Sequence, residues 1–456
     1  MSTQPLQAAI IGGGISGLAT AFFMQRLAPN ARIAVFEQAP RMGGTMQSER
    51  RDGFLFEAGP NGFLSNRKET LDLVKDSGAE SMLLRSNDCA RIRYVFSDRL
   101  WRLPDTPPAF LGTGLLSFRE KARVLGEFFI PPKRDRQEES VQAFGYRRLG
   151  RRFTDIFLDA MSAGIHAATP DRLSVDAAFP AVVALEREYG GLFRGMLKKR
   201  KKEAGPGGVL MSFRGGVGAF AEHLAAVLPV AQYTNTRVTE IAALDAGTGY
   251  RLTVKGAGSE ETLAAQSVVL ATPAFVSAEL LAGLDGGIAS QLRAICYTPV
   301  AVVGFGYYGL EHPLDGFGLL TTTAAGLPIL GVLWDSSIFA GRAPPGGKSL
   351  RVLIGGQRNP ELVHCEEAEL IRLAREGIRN TMGIDAKPAT TFVRRWRRGI
   401  PHYGLGHLDN VRDIHREIGK YPGLYLNSNA YFGVGLNDCV INSQACAKRW
   451  AEVFAP

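Results

Sequence analysis

Apolar and polar positions divide this chain into stretches of different period. Near the start, the apolar run Ala8–Ile11 meets Gly12-Gly13-Gly14, and a helix-forming stretch follows from Leu18 to Leu27. A short apolar run closed by turn residues reads as a strand, and the longer stretch as a helix. A second apolar run, Ile33–Phe36, ends in Glu37. Ser267–Leu270 reads as one more buried strand, running on into Ala271-Thr272-Pro273, and Leu424–Leu426 as a short one ahead of a final helical stretch. Between them, residues 94–180 carry helical spacing, with Leu115, Leu116, Leu125, Phe128, Phe129, Phe157 and Leu158 as recurrent apolar positions. Pro104, Pro107, Pro108, Pro131 and Pro132 punctuate that part. Residues 292–392 read as strand-rich, through Ala301–Phe305 and Ser349–Gly355. The pattern predicts an α/β (α+β multidomain) protein whose first strand and last helix share one domain, with the rest inserted.

The first strand, its glycines and the helix behind them form a G-x-G-x-x-G fingerprint at Gly12, Gly14 and Gly17. Gly12 permits the turn, Gly14 lets backbone approach a pyrophosphate, and Gly17 packs helix against strand. The helix N-terminus offers free N–H groups to phosphate, and Glu37, about twenty residues on, can accept from ribose hydroxyls. A dinucleotide-binding, Rossmann-like domain is the expectation.

Arg41-Met42-Gly43-Gly44 follows Glu37 closely, and then Gly53-Phe54-Leu55-Phe56-Glu57-Ala58-Gly59-Pro60. This succession resembles the large flavoprotein superfamily of amine oxidases, carotenoid desaturases and porphyrinogen oxidases, which implies non-covalent FAD as cofactor. Gly433-Val434-Gly435-Leu436-Asn437-Asp438, ahead of the last helix, suits the flavin's polar edge. Asp438 also reads as a helix cap. The cofactor contacts expected on this frame are Gly12, Gly14, Ile15, Ser16, Gly17, Glu37, Gln38, Gly43, Gly44, Thr45, Met46, Gly59, Pro60, Asn61, Gly62, Val238, Ala430, Val434, Gly435 and Leu436. The domain plan assigns 1–63, 208–286 and 392–456 to FAD binding. It assigns 64–93, 179–207 and 287–391 to a strand-rich substrate domain, and 94–178 to a helical, membrane-associating domain.

With 456 residues, 45% hydrophobic and 21% charged, the chain suits a globular enzyme of two or three domains. The fingerprint starts close to Met1, which leaves no room for a targeting peptide, and no apolar run reaches the roughly eighteen residues of a membrane span. Cys89, Cys296, Cys365, Cys439 and Cys446 show no C-x-x-C pair and no metal spacing, so no metal is expected and reduced thiols in the cytoplasm are the simplest account. A disulfide reductase would need that pair. The net charge of +9 suggests an anionic partner. Arg194 and Lys198-Lys199-Arg200-Lys201-Lys202, just before Gly205-Pro206-Gly207-Gly208, read as a solvated loop, with anionic lipid as the functional alternative. No nucleic-acid module is recognisable.

At family level the chain resembles the protoporphyrinogen IX oxidases over nearly its whole length. The likeness rests on Arg93-Tyr94-Val95-Phe96, Arg147-Arg148-Leu149-Gly150, Ala163-Gly164-Ile165-His166-Ala167, Gly316-Phe317-Gly318, Trp396 with Gly399-Ile400-Pro401, and Gly433 to Cys439. It implies that Arg93 binds a propionate, that Phe317 and Leu320 sandwich a pyrrole ring, and that Gly164 offers a backbone carbonyl. Leu353 matches across a gap. His166 stands where the family has Tyr or Phe, and reads mainly as filling space; His402 stands where Gln is common. The implied reaction oxidises protoporphyrinogen IX with O2 by three hydride transfers to FAD, forming peroxide, with no catalytic side chain assigned. A homodimer is a further implication. Apart from the resemblance, the apolar stretch from Trp101 to Ile130 reads as core, with a peripheral dip into the cytoplasmic face of a membrane as the alternative.

Coproporphyrinogen III oxidation is the neighbouring alternative. That subfamily generally lacks an arginine matching Arg93 and has Pro at the position of Asn437. Amine oxidation on the same frame, with Cys439 as a tether, and a non-catalytic escort are the readings from other classes.

Overall fold

The computed structural model describes residues 5–135, 137–202, 208–244, 249–256 and 258–454, without the side chains of 199–202. Its first sheet has seven strands. Ala231–Tyr233, Ile33–Phe36, Leu6–Ile11, Glu260–Leu270 and Leu424–Leu426 run parallel in that order; Tyr250–Lys255 adds antiparallel to Glu260–Leu270, and Arg237–Ala243 antiparallel to Tyr250–Lys255. The central runs are apolar at every position because both faces are covered. Ala8, Ile10, Val35 and Val269 pack under the helices Ile15–Leu27 and Leu436–Phe454. Ala9, Ile11, Phe36, Val268 and Leu270 pack on the opposite face, against Ala274–Leu281, Gly286–Arg293 and His407–Ile418. The first strand and the last helix thus pack into one core.

A second seven-stranded sheet runs Thr390–Pro401, Tyr297–Tyr308, Gly347–Gly355, Ile329–Leu333, Gly318–Thr321, Tyr94–Phe96, Leu100–Arg102. Its neighbours are antiparallel except Gly318–Thr321 beside Tyr94–Phe96. On one face Val303, Val332 and Val352 pack under the helix Glu367–Met382, through Leu370, Ala374 and Ile378. The other face looks toward the hairpin Ser48–Glu57 and the helix Asp159–His166. That helix follows a single π turn, Thr154–Leu158.

Three features depart from expectation. Thr390–Pro401 is an edge strand of the second sheet, so the boundary at 392 falls inside one strand. Four arginines, Arg394, Arg395, Arg397 and Arg398, mask its alternation. The hairpin from Tyr94 to Arg102 also joins this sheet rather than the helical part. The basic run is no loop: Leu192–Lys202 is helical, as long unbranched cationic side chains allow. Gly205, Pro206 and Gly207, and the side chains of Lys199 to Lys202, lie outside the described residues.

Candidate active site

The parallel strands end together at Ile11, Phe36, Leu270 and Leu426, so Gly12, Glu37, Ala271 and Asn427 follow along one edge. Gly12 has φ +107°, and a Cβ there would lie 2.7 Å from the Ala271 carbonyl oxygen. Only glycine fits such a turn. A Cβ on Gly17 would overlap the Gly12 carbonyl, so this third glycine lets the helix begin close behind the turn. Gly14 is different. Its Cβ would meet nothing nearer than Gly44 Cα, at 3.8 Å.

Gly14 and Gly43 form a parallel bridge, and the Gly43 N–H donates to the Gly13 carbonyl at 2.8 Å. The two glycine segments are thus two backbone walls of one groove, with Gly44 and Thr45 exposed along it. The helix at Ile15 and Ser16 starts without a side-chain cap, which leaves N–H groups for phosphate. Glu37 accepts from the N–H groups of Gly13 and Ala39, each at 2.8 Å. Its carboxylate is therefore braced, with lone pairs left for a ribose hydroxyl. Gln38 beside it is exposed. The Thr236 N–H donates to the Glu37 carbonyl at 2.9 Å, which draws in the strand that holds Val238.

Gly59 sits so close to Thr45 that a Cβ would overlap the Thr45 carbonyl, and Gly62 packs equally tightly on Met211. Pro60 is half-buried. Between them, both amide atoms of Asn61 are buried without a partner among the described residues. Met46, Val238, Ala430 and Leu436 bury their side chains in the apolar core, so they can offer only backbone atoms. Val434 and Gly435 lead into the last helix, where the Gly435 N–H donates to Asp438 at 3.1 Å. Asp438 lies in the first turn, so it braces the helix start rather than preceding it, and burial raises its pKa. An open glycine groove beside an unsatisfied buried amide fits FAD.

Three of the residues expected to bind substrate, Gly164, Leu320 and Leu353, come together on the second sheet's inner face, while Phe317 packs with Ala90, Ile338 and Phe339. Leu320 pairs in register with Gly331, and Gly331 with Leu353. The two leucines therefore stand in one row with a side-chain-free position between them. A Cβ on Gly164 would lie 2.8 Å from Leu320 Cδ1, so the helix Asp159–His166 closes against that row. Arg93 is exposed, lies 5.6 Å from the Phe317 ring and has no ion-pair partner among the described residues. His166 is 2% exposed and sits edge-on to Phe179 and near Tyr403. Burial, with His402 nearby, lowers its pKa to about 4, as suits a neutral space-filling imidazole.

Sequence reasoning missed Gly331, because a lone glycine in a strand carries no sign of what lies beside it. It also missed two buried ionic groups, Asp159 with Arg358 and Glu57 with Arg342, Arg351 and Asp335. Arg358 is far from Asp159 in the chain, as are Arg342, Arg351 and Asp335 from Glu57, and they have no shared motif. Among the described residues, no three His, Cys, Asp or Glu side chains group as metal ligands.

Residues 15–449 match the family of flavin containing amine oxidoreductases. A coproporphyrinogen III oxidase of Bacillus subtilis is 28% identical, covering 98% of this chain and 98% of its own length. The chloroplastic protoporphyrinogen oxidase 1 of Arabidopsis thaliana is 30% identical, covering 94% of this chain and 85% of its own. A crystal structure from Exiguobacterium sp., provisionally assigned as a protoporphyrinogen oxidase, superposes with TM-score 0.85 at 27% identity, covering 98% and 99% of the two chains.

Proposed function

This chain belongs to the flavin containing amine oxidoreductases and, within them, to the porphyrinogen oxidases, and from that premise we propose that it oxidises protoporphyrinogen IX to protoporphyrin IX, with O2 as final acceptor, in haem biosynthesis. It is an FAD-dependent oxidoreductase. The observation that carries the substrate reading is the row Leu320–Gly331–Leu353, closed by Gly164, together with Arg93, which lies over the Phe317 ring and has no carboxylate partner among the described residues.

When bound, FAD supplies the two-electron, hydride-accepting chemistry. Gly12, Gly14, Gly43 and Gly44 would hold its pyrophosphate side, Glu37 a ribose, and Asn61 its polar edge. The chain's own part is placement. Arg93 takes a propionate in paired charged hydrogen bonds and so chooses which methylene bridge is presented. Leu320 and Leu353 flank a pyrrole, and the space at Gly331 gives the ring depth. These apolar walls exclude water from the reacting carbon and hold it in one orientation.

Coproporphyrinogen III is the second reading, supported by relatives of that name. Asn437 lies in the first turn of the last helix. Its amide donates to the Leu64 carbonyl at 2.9 Å and accepts from the Thr70 hydroxyl at 2.7 Å, tying down the last helix. Aerobic turnover on each ring, followed by porphyrin fluorescence, tests the proposal. Preference for protoporphyrinogen IX is expected. Preference for coproporphyrinogen III reassigns Arg93, and no turnover by a yellow protein hands the site to amine oxidation.

The proposal includes a place on the cytoplasmic face of an anionic membrane, as a peripheral homodimer. Phe118 and Phe129 are 85% and 80% exposed, with Leu111 and Leu125 also exposed. Arg194, on the basic helix, lies 4.9 Å from the Phe128 ring. Apolar side chains beside cationic ones are what an anionic bilayer surface takes up. Among the described residues, no helix is long and apolar enough to cross a membrane.

A further inference from the structure

The strand Gly347–Gly355 presents Leu353 to the pocket and, two residues earlier on the same face, Arg351. Arg351 is 1% exposed. Its Nη1 donates to the carbonyls of Glu57 at 2.9 Å and Gly59 at 3.2 Å. Its other edge pairs with Asp335, Nε to Oδ2 and Nη2 to Oδ1 both at 3.1 Å. A second buried arginine, Arg342, pairs with the Glu57 carboxylate at 3.0 Å and donates to the Ser212 hydroxyl at 2.8 Å. Glu57 also accepts from the Val217 N–H at 3.1 Å and from the Ser48 hydroxyl.

Two cations and two anions are thus buried where the second sheet meets the hairpin that leads to Gly59. Burying such charges gains little stability over apolar packing of the same volume. Their geometry is more telling. Arg351 grips the backbone on both sides of Ala58, immediately before Gly59-Pro60-Asn61, and Asn61 keeps both amide atoms buried without a partner.

We propose that Arg351 is a positioning residue for the cofactor: by fixing the Glu57–Gly59 backbone it aims the Asn61 amide at FAD, from the same strand that sets Leu353 against the ring. The inference rests on the reading above of Asn61 as a cofactor contact and Leu353 as pocket wall. It makes one strand responsible for the relative placement of the two reactants.

FAD release from the holoenzyme on dilution, read as the rise in flavin fluorescence, tests it in Arg351→Lys, Asn61→Ala and the double variant. Lysine keeps the charge beside Asp335 but lacks the planar fork that reaches two carbonyls and a carboxylate together. Each single variant should release FAD about tenfold faster or more, and the double no faster than the quicker single, because both remove one interaction. Flavin-loaded Arg351→Lys should also lose kcat with KM for porphyrinogen little changed. Unchanged release in either single variant, or effects that multiply in the double, overturns the proposal. Should Arg351→Lys not fold, Asp335→Asn, which loosens the same guanidinium, must speed release in the same direction, and no change there overturns it too. The release measurements need no porphyrinogen. A wild type inactive on every porphyrinogen therefore sinks the substrate reading separately.

Discussion

Arg358 Nη2 lies 3.1 Å from Asp159 Oδ2, and the same carboxylate accepts the Thr323 N–H at 2.6 Å and the Thr323 hydroxyl at 2.8 Å. Asp159 opens the helix that carries Gly164, and Thr323 follows the strand that carries Leu320. The ion pair therefore fixes the contact of Gly164 with Leu320 that closes one side of the proposed pocket. Asp159→Asn leaves a buried guanidinium without its counter-charge, which typically costs about 3–5 kcal/mol. A lower denaturation midpoint is expected, together with a higher KM for porphyrinogen. A lower midpoint with unchanged KM would detach this clamp from the pocket.

Arg93→Ala removes a charged hydrogen-bonding group worth about 1.5–3 kcal/mol. KM should rise more than kcat falls, because the contact is made in ground and transition states alike. Steady-state kinetics on protoporphyrinogen IX decides this, and unchanged values remove Arg93 from the site.

Gly14→Val tests the groove. A Cβ at Gly14 has room in the folded chain, with Gly44 Cα 3.8 Å away, so folding should survive. The added branches would occupy the phosphate side of the groove. A folded, colourless protein is expected on purification; full flavin content would show that the pyrophosphate lies elsewhere.

Stability should fall on acidification below about pH 6.5. Burial lowers His166 and His407 from 6.5 to about 4, so both stay neutral in the folded protein while the unfolded chain protonates them. Between those values the unfolded state binds more protons, and each histidine removes up to about 3 kcal/mol of stability as pH falls toward 4. Thermal melts at pH 7 and pH 5 should differ less in His166→Phe than in the wild type. An equal difference would mean that His166 is not buried and neutral.

Vesicle flotation addresses the apolar face around Phe118 and Phe129. Binding to anionic vesicles should weaken as salt rises, because the Debye length shrinks from about 10 Å at 0.1 M to 3 Å at 1 M. Replacing Phe118 and Phe129 with serine should reduce binding at every salt concentration. Indifference to lipid charge leaves the face a plain surface.

The nucleotide-binding frame was legible because its requirements are local. Gly12, Gly14 and Gly17 are needed within one turn, and Glu37 ends the next strand of a continuous apolar run. Arg93, Phe317, Leu320 and Leu353 came only through resemblance, since nothing in their own neighbourhoods separates a pocket wall from ordinary core. Gly331 became informative when strand register set it between two leucines. Asp159 and Arg358, or Glu57 and Arg342, reach each other across long stretches of chain, and periodicity holds no record of such pairings. The boundary expected at 392 cuts the edge strand Thr390–Pro401 for a related reason. An edge tolerates cationic side chains on both faces, which erases alternation.

Asn427 donates to the Thr20 hydroxyl across 407 residues of sequence, and Trp450 donates to Ser267 beneath the same sheet. The groove formed by the first glycines thus has its rear support in Asn427 and a helix that lie 407 residues or more further along the chain than Thr20. A nascent chain that has exposed Gly12 to Gly17 still lacks the strand Leu424–Leu426 and the helix that seats behind it. Seating of the flavin is in this way tied to the strand Leu424–Leu426 and the helix Leu436–Phe454, without which the cradle has no rear support.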